Sequence, residues 1–222
     1  MGQSDDQGQT LAVVRSAFGC GEALAGTITA LSRTGAHSRG ALLWPLPDRD
    51  ETTLLTRGGA QEVAYGRDGA VLVLLPIAPG DFYGDLVGSD QNQAQVEATS
   101  DGAGAHFAGD AIVRLMESYS CVGVAITRHL SGRLATMRRR MVEAAMLSAT
   151  GRIAAELLRR GTASTDRTIR PMPVFSDLAV TVQSTRETVS RTVSQLEKRG
   201  VVKRVAGGLQ IVAPHRLEEL VY

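Results

Sequence analysis

Three charged residues near the C-terminus carry the most specific chemistry in the chain: Arg186, Glu187 and Arg191. An arginine can bond guanine O6 and N7 with both arms of its fork, and a glutamate can accept from cytosine N4. On a helix, the spacing of neighbours and then four residues puts all three on one N-terminal face. The same spacing suits an intrahelical ion pair, because Glu187 and Arg191 stand in an i,i+4 relation. Lys198, Arg199, Lys203 and Arg204 follow closely, where phosphates would lie.

The surrounding sequence holds the elements needed to present these side chains. Ser176-Asp177-Leu178-Ala179 predicts a short helix beginning at Ser176, and Thr181-Val182-Gln183 a tight connection. Ser184 is the next cap candidate, with Glu187 three residues on to complete a capping box. The helix then buries Val189, Val193 and Leu196 and stops at Gly200. Val201–Val205 and Leu209–Val212 alternate as strands around Ala206-Gly207-Gly208, which predicts a β-wing. Helix, tight turn, capped polar helix and wing is the winged helix-turn-helix plan.

Charge is divided along the chain in the same sense. The net charge is +1, but residues 138–222 hold 15 Lys and Arg against 8 Asp and Glu, a balance of +7. Residues 1–137 hold 9 against 15, a balance of −6. The asymmetry predicts two units, the second suited to a polyanion.

Upstream, Leu11, Val14 and Phe18 give a weak helical stripe, and glycine then punctuates short apolar runs. Thr52–Thr56, Gln61–Tyr65 and Ala70–Ile77 read as strands, the last two joined by a hairpin at Gly66-Arg67-Asp68-Gly69. Such spacing predicts a small β-barrel or sandwich. From about Gly109 the period becomes helical. Ile126, Leu130, Leu134, Met137 and Met141 follow in steps of three and four on a proline-free span from about Tyr119 to Ala149. At ~1.5 Å per residue that helix is about 45 Å long. It is longer than the β-domain would cover, and the narrow seam fits a two-helix dimer interface; an ordinary core helix is the alternative. Thr150-Gly151-Arg152 is expected to break the helix, with Ile153–Arg160 helical again and Gly161–Arg170 a surface loop.

Several stretches together resemble the cyclic-AMP receptor protein/fumarate-nitrate regulator (CRP/FNR) superfamily of bacterial transcription regulators. They are Leu147-Ser148-Ala149-Thr150-Gly151-Arg152-Ile153-Ala154, Asp177-Leu178-Ala179 and Ser184-Thr185-Arg186-Glu187-Thr188-Val189-Ser190-Arg191. Pro79-Gly80-Asp81-Phe82-Tyr83-Gly84-Asp85-Leu86 is similar to the turn of that family's cyclic-nucleotide-binding β-barrel. The resemblance implies an α+β chain in three parts. They are a cyclic-nucleotide-binding-like β-barrel sensor over 1–118, a dimerisation helix over 119–148, and a winged helix-turn-helix over 149–222. It implies base reading by Arg186, Glu187, Ser190 and Arg191, with Ser184, Thr185, Thr188, Lys203 and Arg204 on phosphates. It places the dimer interface at Ile126, Leu130, Leu134, Met137 and Met141, and an effector pocket at Gly84, Asp85 and Leu86. The half-site it implies is close to TGTGA, repeated as an inverted pair. Ser190 also matches the fumarate-nitrate branch, which lacks the leading arginine. The implied partners are double-stranded DNA, a second copy of the chain, RNA polymerase and a small-molecule effector.

Orthodox cyclic AMP does not fit the sequence, because no arginine stands between Arg67 and Arg114 to pair with a cyclic phosphate. Two cysteines, Cys20 and Cys121, are too few for an iron–sulfur cluster or a zinc site, and a disulfide between them is not expected. His37, His106 and His129 are haem-ligand candidates but read more readily as ordinary histidines. The cofactor is thus left unknown, the effector being another ligand or none. No nucleophile–base constellation points to an enzyme. The polar, acidic Met1–Thr10 does not resemble a signal peptide, and no apolar run reaches ~20 residues, so a cytoplasmic location without membrane contact is expected. The alternative function is a ligand-sensing or protein-interaction module that uses the same fold without DNA.

Overall fold

The computed structural model describes residues 2–46, 50–67, 69–84 and 94–221. Helices α1 (Gly2–Phe18) and α2 (Glu22–Ala30) lead into β1 (Ser32–His37), β2 (Leu42–Trp44), β3 (Glu51–Arg57) and β4 (Ala60–Tyr65). Strands β5 (Val71–Ile77), β6 (Phe82–Gly84), β7 (Ala94–Ala98) and β8 (Gly102–Ala108) follow. Next come α3 (Gly109–Ser118), α4 (Ser120–Met146) and α5 (Ala149–Gly161). The chain ends with β9 (Thr168–Ile169), α6 (Phe175–Thr181), α7 (Arg186–Lys198), β10 (Val202–Val205), β11 (Gly208–Ile211) and α8 (Pro214–Glu218). It divides into two units, Met1–Met137 and Arg138–Tyr222, and the division falls inside α4. The same division separates a part with a charge balance of −6 from one of +7.

In the first unit, β1-β8-β3-β6 and β2-β7-β4-β5 form two antiparallel sheets. Successive strand residues point to opposite faces, and β3 and β6 use this to serve two cores. Leu55 and Tyr83 pack with Ala60, Ile77 and Val96 of the other sheet. Their neighbours Leu54 and Phe82 pack on the opposite side with Val14, Phe18, Ile112 and Leu115 of the helices. The expected mixed helix-and-sheet class is found, and of the expected barrel or sandwich the described sheets do not close into a barrel. Among the described residues the two sheets remain separate four-stranded layers, and the edge strand β5 carries Pro76, which has no N–H to donate to a further partner. The β4–β5 hairpin forms as expected, with Gly69 at φ 78°.

In the second unit Ile153, Leu157, Leu178, Val189, Val193, Leu196, Leu209 and Leu217 form one aliphatic core. Three local expectations are corrected here. The helical break falls at Leu147-Ser148 instead of at Thr150-Gly151-Arg152. The Ser148 hydroxyl accepts the Gly151 amide at 3.1 Å, and residues 150–152 become the first turn of α5. Helix α6 starts at Phe175 after Val174, so Ser176 lies inside it and caps nothing. The stretch 161–170 is not wholly a loop, because Thr168 and Ile169 pair with Gln210 and Leu209 as a third strand of the wing sheet.

Candidate nucleic-acid interface

The chain reverses direction between α6 and α7 at Gln183, whose φ is 52°. Ser184 donates its amide to Ala179 O at 2.9 Å, which occupies it in closing the turn. The cap falls one residue later than expected. Thr185 is the N-cap of α7, and its hydroxyl oxygen accepts the Thr188 amide at 3.2 Å and lies 3.0 Å from the Thr188 hydroxyl. The helix buries Val189, Thr192, Val193 and Leu196 against the core. That packing leaves Arg186, Glu187 and Arg191 exposed and Ser190 and Thr188 half-buried beside them. Gly200, at φ 69°, ends the helix.

The Glu187 carboxyl is held below its ordinary range by hydrogen bonds from its own backbone amide and from Thr185, with Arg186 adding in the same sense. Near neutral pH this face thus offers two guanidinium donors and one ionised acceptor to solvent. Among the described residues, no ion pair joins Glu187 to Arg191. The intrahelical alternative is therefore not the arrangement adopted.

The wing is a three-stranded sheet, β10-β11-β9, with Ala206 and Gly207 at the β10–β11 turn and Gly207 at φ 69°. Gly208 allows a close approach, since a Cβ there would lie 2.6 Å from Ile169 O. Lys203 is exposed on β10. Arg204 is tied to its own unit: Nε lies 3.2 Å from Glu197 Oε2 on α7, and the guanidinium carbon is 5.9 Å from the Phe175 ring centroid. Arg204 is exposed and Glu197 half-buried, so solvent weakens the pair. Sequence reasoning missed the Phe175 contact, for which spacing gives no signal.

On α4, Leu130, Leu134, Met137 and Met141 are 42%, 52%, 46% and 69% exposed. Ile126 is only 3% exposed and packs in the core of its own unit, so it is not available to a second chain and is removed from the expected seam. Val142 and Met146 are exposed apolar residues that the seam had not included.

Of the expected effector residues, Asp85 and Leu86 lie outside the described residues. Gly84, at φ 96°, pairs with Thr52 where a Cβ would meet the Glu51 carbonyl, so its identity has a packing reason. Arg133 of α4 reaches the sheets, but its guanidinium is ion-paired with Glu62 and directed at the Phe82 carbonyl 3.5 Å away. A cyclic phosphate would need a cation released from that pair, and residues 85–93 contain no Lys or Arg. Among the described residues there is no cluster of three or more metal-ligating side chains, and His106 is engaged with Thr53 Oγ1 at 2.8 Å. No single described helix is long and apolar enough to cross a membrane.

Residues 151–220 match the model of the Crp-like helix-turn-helix domain. No curated protein matches the chain. Among solved structures, FixK2 from Bradyrhizobium japonicum is similar with a TM-score of 0.74 at 18% identity, over 86% of this chain and 98% of that one. CooA from Carboxydothermus hydrogenoformans, solved as a mutant, gives 0.76 at 16% identity, over 88% and 90%. The c-di-GMP-responsive global regulator CLP of Xanthomonas campestris gives 0.70 at 22% identity, over 84% and 98%. At these identities the likeness is one of fold, and the domain match adds the helix-turn-helix. The chain carries a Crp-like helix-turn-helix domain over residues 151–220, and its fold is similar to those of FixK2, CooA and CLP.

Proposed function

We propose that the chain is a cytoplasmic, sequence-specific transcription regulator, not an enzyme, and that it binds double-stranded DNA as a homodimer on an inverted repeat of a TGTGA-like half-site. The observation that carries this reading is the exposed N-terminal face of α7, where Arg186, Glu187 and Arg191 stand on a capped helix beside the wing. Arg186 and Arg191 would read guanines in the major groove, and Glu187 would accept from cytosine N4. Ser190 lies beside Arg191 within reach of the same bases. Ser184, Thr185, Thr188, Lys203 and Arg204 would meet phosphates, which set register without choosing sequence.

Leu130, Leu134, Met137 and Met141 would form the dimer seam, with a dimerising segment at 119–148 between a sensor at 1–118 and a DNA-binding part at 149–222. An inverted repeat requires a two-fold dimer, with half-site centres about 34 Å apart. The effector is a ligand other than cyclic AMP, or none, and RNA polymerase is the partner through which regulation would act. The c-di-GMP response of the Xanthomonas regulator makes a cyclic dinucleotide the first ligand to test.

Titration of the full chain against a labelled TGTGA inverted repeat and a scrambled duplex tests the reading. Binding to the repeat is expected at nanomolar concentration, with affinity falling steeply as salt rises. Equal binding to both duplexes, with and without candidate ligands, would overturn it.

A further inference from the structure

Arg152, in the first turn of α5, directs its guanidinium at three backbone carbonyls. Nε donates to Val182 O at 2.8 Å, Nη1 to Leu147 O at 2.9 Å and Nη2 to Gln183 O at 2.9 Å. Each acceptor stands at a junction. Leu147 is the residue between the last residue of α4 and the Ser148 cap of α5. Val182 is the C-cap of α6, and Gln183 holds the left-handed conformation of the turn.

The last carbonyls of a helix have no partner within it, and a cation there is favoured by the helix dipole. A glutamine at positive φ is held by its surroundings and not by preference. Arg152 supplies both the partner and the hold. The backbone beneath it is also fixed, since Gly151 packs so closely that a Cβ would lie 2.8 Å from Leu220 O. Two residues after Gln183 comes Thr185, the cap from which α7 departs.

We propose that Arg152 is a positioning residue for base reading. By gripping Val182 and Gln183 it fixes the angle at which α7 presents Arg186, Glu187 and Arg191, and it does so without touching DNA. The inference rests on the DNA reading above, and its test separates the two.

The full chain and its Arg152→Ala and Arg152→Lys variants are titrated against the inverted repeat and a scrambled duplex over a salt series. Amide exchange is followed at Gln183 and Ser184 without DNA. For Arg152→Ala, affinity for the repeat is expected to fall about tenfold or more, as loss of charge-assisted bonds would give. Affinity for the scrambled duplex and the salt slope stay unchanged, and exchange at the two amides becomes faster. A salt slope smaller by about one would make Arg152 a phosphate contact and overturn the proposal. So would an equal loss on both duplexes, or no loss on either.

Lysine carries the charge as a compact point and cannot span three carbonyls, so Arg152→Lys is expected to shift in the same direction by less. If Arg152→Ala loses its helical signal, the lysine variant decides, and wild-type discrimination and exchange in that variant would overturn the proposal. If the wild-type chain prefers no inverted repeat, the DNA reading fails on its own. Exchange at Gln183 and Ser184 still reports whether Arg152 holds the turn, and unchanged exchange would remove that role.

Discussion

The hydroxyl oxygen of Thr185 accepts the amide of Thr188 at 3.2 Å, and this bond fixes where α7 begins. A helix start has amides without intrahelical acceptors, and a threonine at the cap satisfies one of them. Thr185→Ala is expected to destabilise the C-terminal unit by about 0.5–2 kcal/mol, with Thr185→Ser near wild type. Denaturant unfolding followed by circular dichroism reads the difference. An alanine variant that unfolds with the wild-type midpoint would show that the cap adds nothing.

Arg186 and Lys203 are both exposed cations of the interface, and their expected roles differ in kind. Arg186→Ala should cost about 1–3 kcal/mol on the inverted repeat and relax preference at a single guanine. Lys203→Ala should weaken all duplexes alike and lower the salt slope by about one. Titration against a panel of single-base half-site variants distinguishes them. Identical profiles for the two variants across that panel would refute the assignment of Arg186 to a base.

Much of the C-terminal unit could be read from the sequence because its signals are local. Gly200 stops α7, and the alternation around Ala206-Gly207 gives the wing. Positions decided by longer-range contacts were misplaced. Ser184 resembles a cap, but it belongs to the turn, donating its amide to Ala179 O, and the hydroxyl that accepts an amide of α7 is that of Thr185. Ile126 shares the period of the exposed seam, yet it is buried in the core of its own unit, which periodicity cannot see. Thr168 and Ile169 are too short a run to show as a strand, and become one only because β11 offers an edge. The placement of Arg186, Glu187 and Arg191 on the exposed start of one helix was legible from the local period. The contacts of Arg152 with Val182 and Gln183 were not, since these two of its three acceptors lie 30 and 31 residues away in sequence.

Leu134 and Met141 are half or more exposed large apolar side chains on α4, a cost that a partner helix would remove. Leu134→Glu and Met141→Glu are expected to leave each unit folded, since neither side chain belongs to a core. Both should raise the dimer dissociation constant by on the order of tenfold or more, given ~1.5–3 kcal/mol per buried aliphatic side chain. Sedimentation equilibrium measures this. A wild-type association constant in both variants would move the dimer contact elsewhere.

Acid should weaken the N-terminal unit through His129. Its side chain is 10% exposed, lies edge-on to Phe82 with centroids 5.3 Å apart, and has Nδ1 3.6 Å from Asp81 Oδ1. Burial lowers its pKa below the usual 6.5 and outweighs the opposing pull of Asp81, with Arg133 lowering it further. The unfolded chain therefore binds the proton more readily than the folded one between the folded value and 6.5. Stability rises with pH wherever the unfolded state holds more protons. The contribution of a neutral His129 is thus complete above pH 6.5 and is lost as pH falls from there through the folded value. His37, lowered mainly by burial with Arg57 adding to it, acts in the same direction. Denaturant midpoints for the N-terminal unit should fall between about pH 7 and 5, and His129→Gln should flatten the slope while His37 leaves a remainder. An unchanged slope in His129→Gln would assign the acid sensitivity to other groups.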